Sequence, residues 1–263
     1  MRNPFQSCFH FCVNLFALPW DFILILIILA VAVPWRGAIR IKRLLAQPSL
    51  TTNQRLSLYA STMLFQWGLA AIVFWRATSR HLTLDELGLV VLGVWRTGSI
   101  ALVLTAILCL NQWAGLKKIE MRGVDQSSLI VRFREKIMPH SALETFVFAG
   151  LACTAGLAEE FVYRGFLFAV CLNVFSPFAH PGLIAMIVSS AWFAIAHLYQ
   201  GRRGVITTYV VGMIFSAVRF WSGNLVPVMM AHAGIDLVAG LSLSRIGLDQ
   251  PKPPDEEQHG EQT

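Results

Sequence analysis

Residues Ser141–Phe175 read SALETFVFAGLACTAGLAEEFVYRGFLFAVCLNVF, and this stretch decides the fold. It is apolar enough to lie in a bilayer, yet Glu159, Glu160 and Arg164 interrupt it. A helix crosses a hydrocarbon core of about 30 Å with about 20 residues, so the stretch is longer than one crossing needs. Each intramembrane charge costs from about 2.5 kcal/mol upward, and residues that carry one usually face a hydrated interior and mark function. The portion before Gly156 is expected to tilt, kink or lie re-entrant.

Outward from it lie six further apolar blocks: Phe11–Trp35, Ser57–Trp75, Thr97–Leu116, Gly182–Tyr199, Gly204–Phe220 and Leu225–Leu243. In lipid a chain must satisfy its own amides, so each block reads as a helix. The fold class is all-α, a polytopic transmembrane helical bundle of about seven to eight spans. Hydrophobic residues make up 56% of the chain and charged ones 14%, against about 25% charged in soluble domains, which excludes an ordinary globular fold. Thr83–Leu89 (TLDELGL) reads as a short amphipathic stretch at the interface. Met1–Trp20 reads as a retained signal anchor, with no small-x-small cleavage site before the next apolar run. Residues 1–138 would hold N-terminal transmembrane helices and interfacial loops. Residues 139–245 would form the membrane core that bears the chemistry, and 246–263 a disordered cytoplasmic tail rich in Pro, Asp, Glu and Gln.

The net charge of +6 does not point to nucleic acid, because the basic residues sit between apolar blocks, where they orient a membrane protein. With Ser141–Phe175 as one crossing there are seven spans. Of the 21 Lys and Arg, all but Arg2, Arg76, Arg80, Arg96, Arg219 and the intramembrane Arg164 then share one face. Breaking the stretch near Glu160 makes eight spans and a more even split. The seven-span reading puts the N-terminus outside and the C-terminus in the cytoplasm of a cell inner membrane. Cys8, Cys12, Cys109, Cys153 and Cys171 form no CxxC pair, which argues against a disulfide framework or a zinc–thiolate site.

Three patterns carry chemistry. In Ala158–Phe166 (AEEFVYRGF), Glu160 and Arg164 are four apart and share a helix face, which suits an ion pair. Glu159 is turned away by about 100° and is left free to titrate. In Trp192–Leu198 (WFAIAHL), His197 closes its span. In Ala231–Leu237 (AHAGIDL), His232 and Asp236 are four apart, and an Asp so placed can fix a His tautomer. Each pattern alone also fits a bland reading: a bundle salt bridge, a packed histidine, a polar pair gluing helices. The alternating topology brings all three to a similar depth, which chance retention of buried polar residues does not favour.

Together the patterns resemble the CAAX protease and bacteriocin-processing family, also called type II CAAX prenyl endopeptidases or glutamate intramembrane proteases. That family shows EExxxR, FxxxH and HxxxN or HxxxD in order. Here these are Glu159-Glu160-Phe161-Val162-Tyr163-Arg164, Phe193-Ala194-Ile195-Ala196-His197 and His232-Ala233-Gly234-Ile235-Asp236, within about residues 139–243. The resemblance implies that Glu159 is the base that activates water and that His197 shares that water. It implies that Glu160 and Arg164 orient the site, and that His232 and Asp236 stabilise the oxyanion. Asn is common at the last position. An ionised Asp236 donates no hydrogen bond, so it must be protonated or act by orienting His232.

Two Glu and two His also match a zinc donor set, but HExxH is absent, and the resemblance favours a metal-free mechanism with no cofactor. The expectation is therefore an intramembrane endopeptidase in a lipid bilayer. Its substrates would be membrane proteins or peptides, lipid-modified ones among the candidates, and maturation of secreted peptides or self-immunity would use the same chemistry. A zinc-dependent protease, a non-catalytic scaffold and a transporter are the alternatives. Transporters often show paired repeats of broken helices, and the sequence shows no repeat.

Overall fold

Long runs of Leu, Ile, Val, Ala and Phe leave the backbone one way to satisfy itself in lipid, the α-helix. The computed structural model describes residues 18–91, 93–121 and 129–244, and among these there are eight helices and no strand. They are α1 (Trp20–Ala46), α2 (Thr52–Ser79), α3 (Val94–Met121), α4 (Leu129–Ile137), α5 (Ala142–Val174), α6 (Pro181–Ala196), α7 (Gly201–Ser222) and α8 (Val226–Leu243). Helices α1, α2, α3, α5, α7 and α8 are long and apolar enough to cross a membrane, while α6, with 16 residues, is a shorter apolar helix.

Local signals fix the helix starts. Thr51 and Gln54 form a capping box at α2, and the Ser141 hydroxyl accepts from the Glu144 amide at 3.2 Å at the start of α5. Gly223, in the left-handed region at φ 78°, ends α7.

Several expectations need correction. The first span is displaced: instead of Phe11–Trp35, α1 runs from Trp20 to Ala46. Its basic end stays helical because Arg40 reaches across to α2, donating to the Thr62 hydroxyl at 3.0 Å and the Leu58 carbonyl at 3.1 Å. Hydropathy is blind to that anchor. Pro34 does not break the helix. A π-helical turn over Ile28–Ala32 precedes it, and this wider turn accommodates the backbone hydrogen bond that proline, having no N–H, cannot make. Within α5 there is no break at Glu160, so the eight-span reading does not hold. The helix passes through the acidic pair and continues as a π-helical stretch, Phe161–Leu167. Its first turns are continuous α-helix, Ala142–Glu160. Glu144, fully buried, is gripped by Arg55 of α2 through two 3.0 Å hydrogen bonds. Thr83–Leu89 is a set of turns, not a helix; it exposes Leu84, Asp85 and Glu86 and buries Leu87 fully. The anchor expected at Met1–Trp20 and the tail expected at 246–263 lie outside the described residues, the first all but its last three positions.

Helix α5 is central, packing against α2, α6 and α8; α3 packs on α8, and α7 on α6. At one end of the bundle, the turns after α2 meet the α7–α8 corner: the Leu225 amide donates to the Gly88 carbonyl at 2.8 Å, and Arg219 donates to the Glu86 carbonyl at 2.9 Å. At the other end, the Tyr59 hydroxyl donates to the Ile137 carbonyl at 2.6 Å and Lys136 to the Pro48 carbonyl at 2.8 Å. The chain is a multi-pass helical membrane protein.

Candidate functional site

The π-helical stretch adds an extra residue to a turn of α5 directly after Glu160, and such bulges are frequent at functional sites. Around it the structure builds two clusters.

The inner cluster is buried. Glu160 and Arg164 are both fully buried and paired at 2.9 Å. The same Glu160 oxygen, Oε1, is 2.7 Å from His232 Nδ1 on α8. An unpaired charge would be untenable there, so each member needs the others. Arg164 is also sandwiched by aromatics: its guanidinium carbon lies 4.1 Å from the Phe193 ring centre and 5.7 Å from that of Phe215. Asp236 stands at the edge of this group. Its Oδ2 is 3.7 Å from His232 Nε2, beyond hydrogen-bond length, and its side chain is 40% exposed.

The outer cluster is open. Glu159 and His197 line a cavity of about 120 Å³ together with Val33, Arg36, Gln66 and Tyr199. That is room for several waters. His197 Nδ1 is 2.8 Å from the Phe193 carbonyl, which can only accept, so Nδ1 carries a proton. In a neutral ring the other nitrogen, Nε2, is then bare, and it faces Glu159 Oε2 at 4.0 Å. The remaining oxygen, Glu159 Oε1, accepts from the Gln66 side-chain amide at 2.6 Å.

Phe193 joins the two clusters. Its ring centre lies 4.6 Å from His197, 5.8 Å from His232 and 5.2 Å from Tyr163. Two glycines allow the approach. A Cβ on Gly156 would meet the Met229 carbonyl at 2.6 Å, so only glycine lets α8 lie this close to α5. A Cβ on Gly212 would meet Arg164 Nη2 at 2.8 Å.

All six residues singled out in the sequence thus fall in one region, on α5, on α8 and at the turn after α6. Glu160, Arg164 and His232 are in contact. Glu159 and His197 face each other across the cavity, and Asp236 sits beside His232. Sequence reasoning missed Gln66, Arg36 and Tyr199. Gln66 had a signal, since it is the one amide side chain in the apolar run Met63–Trp75; Arg36 and Tyr199 had none beyond a place near a span end.

Among the described residues no group of three His, Cys, Asp or Glu side chains is placed to hold a metal ion. Glu160 and His232 are committed to each other and to Arg164.

Residues 141–238 match the family model described as Rce1-like, Type II CAAX prenyl endopeptidase Rce1-like. The match covers less than half of the chain and contains all three motifs. No curated protein and no solved structure matches the chain. The likeness supports a protease kind of function in a membrane, with a peptide as substrate.

Proposed function

We propose, with the Rce1-like type II CAAX prenyl endopeptidase character of residues 141–238 as premise, that this chain is an intramembrane endopeptidase using a Glu-activated water. The observation that carries the reading is the pairing of Glu159 Oε2 with His197 Nε2 across 4.0 Å of an open cavity. That gap is too long for a direct hydrogen bond and suits one shared water.

Both groups accept hydrogen bonds, so the water donates one hydrogen to each and keeps a lone pair free. Attack on the scissile carbonyl carbon forms the C–O bond while Glu159 takes the proton. The tetrahedral intermediate collapses with cleavage of the C–N bond, and Glu159 returns the proton to the leaving amine. Developing charge on the carbonyl oxygen requires a donor. His232 gives Nδ1 to Glu160, and when both ring nitrogens are protonated its Nε2–H is the donor nearest Asp236. Glu160 and Arg164 orient that ring and carry no proton in the reaction. Substrates are membrane-associated proteins or peptides, with lipid-modified ones within the reading. The membrane is a cell inner membrane and the basic face of the bundle is cytoplasmic.

The test uses purified protein and a fluorogenic membrane peptide. Glu159→Gln keeps the shape and removes the base, and it is expected to lower kcat by about 10²- to 10⁴-fold. Cleavage at the wild-type rate would refute the assignment of the base. A chelator added to the same assay is expected to leave the rate unchanged; loss of activity restored by Zn²⁺ would favour the metal-dependent alternative.

A further inference from the structure

We infer that Gln66, on a helix outside the family-matched segment, is a positioning residue for Glu159, so that the N-terminal helices complete the active site rather than merely flank it. The inference rests on the proposed role of Glu159 as base.

A carboxylate base has two oxygens and rotates about its last bond. In this cavity one oxygen is fixed: Gln66 Nε2 donates to Glu159 Oε1 at 2.6 Å, a short N–H···O contact with a carboxylate as acceptor. The other oxygen is thereby aimed at His197. The carbonyl oxygen of the Gln66 amide is buried and has no hydrogen-bond partner among the described residues, so the carboxylate alone sets which way the amide faces.

The placement of Gln66 is itself rigid. Next to it in sequence, Trp67 Nε1 donates to the Thr154 hydroxyl on α5 at 3.2 Å. Toward the start of α2, Arg55 clamps Glu144 of α5. These two ties lock α2 against α5 along the approach to the cavity. Helices α1 and α2 also supply Val33, Arg36, Thr62, Phe65 and Leu69 to the wall facing Glu159.

The experiment compares wild type, Glu159→Gln, Gln66→Met (unbranched and of similar length) and Gln66→Asn (an amide one methylene short) in the same peptide assay. The Glu159 carboxylate stretch is followed by isotope-edited infrared spectroscopy. Losing one hydrogen bond to a charged group is expected to lower kcat by about 10- to 100-fold in Gln66→Met. KM should change little, and the carboxylate band should move, with melting temperature unchanged. Gln66→Asn is expected to show the same pattern, so that misfolding of one variant does not decide the matter. A slow Glu159→Gln beside Gln66 variants with wild-type kcat and an unmoved band would overturn this inference and leave the proposed base standing. A fast Glu159→Gln would overturn the proposed base and the positioning role with it.

Discussion

Asp236 is where the chain departs from the commoner asparagine of the resembling family, and the departure has a chemical consequence. At 3.7 Å from His232 Nε2 and 40% exposed, its carboxyl group is near enough to steer the ring and free enough to turn toward a substrate. Asparagine has the same shape and can both donate and accept. Asp236→Asn is therefore expected to retain most of the activity, because either role survives. Asp236→Leu removes both, and the expected loss in kcat is about 100-fold, the scale of losing one oxyanion-hole partner. Equal losses in the two variants would show that charge, not hydrogen bonding, matters at this position. At this scale the sequence was informative: intramembrane Glu, Arg and His residues are costly to retain, so their positions stand out against an apolar background. Gln66 stands out less. An uncharged amide costs little in a span, and nothing in its sequence neighbourhood names Glu159, 93 positions away, as its partner.

Between elements, the close crossing of α5 and α8 sets whether His232 reaches Glu160. Gly156 lies at that crossing, with backbone and side-chain atoms of Met229 and Ala233 inside 3 Å of a would-be Cβ. Gly156→Ala must push α8 outward, and overpacking of this kind costs about 1–3 kcal/mol. Gly68, on α2, has nothing within 4 Å of its would-be Cβ. There the same change should be neutral or stabilise by up to about 1 kcal/mol, since alanine is the better helix former. Thermal unfolding in detergent should therefore move in opposite directions for the two variants, and only Gly156→Ala should lose peptidase activity. A shared direction would mean that the crossing tolerates a methyl group. Most helix cores were legible because apolar run length maps directly onto helix length in lipid. The extent of α1 was not, since its basic last turns are held by hydrogen bonds from Arg40 to α2 and not by hydrophobicity. The burial of Leu87 among the turns of Thr83–Leu89 was also hidden, because its pocket exists only in the assembled bundle.

For the molecule as a whole, alternating helices place the turns around Asp85 at one end and the α1–α2 corner around Gln47 at the other. The basic excess lies with Gln47. In a chain whose five native cysteines are replaced, Gln47→Cys is expected to react with an impermeant thiol reagent from the cytoplasmic side and Asp85→Cys from the opposite side. Labelling of both from one side would refute the odd number of crossings between them, and labelling in the reverse sense would invert the orientation. The site would then open toward a different compartment, although its internal chemistry would be unchanged.

The sequence by itself determined that the chain is a helical membrane bundle and which ionisable side chains it keeps at depth. Both follow from the cost of exposing backbone or charge to hydrocarbon, a cost written locally in composition. Only the tertiary structure decided how those side chains divide: Glu160, Arg164 and His232 into a buried, mutually contacting cluster, Glu159 and His197 onto an open cavity. That division depends on which face of α5 meets α8 and which meets α2. Glycine contacts and long-range hydrogen bonds fix those faces, and no local pattern encodes them.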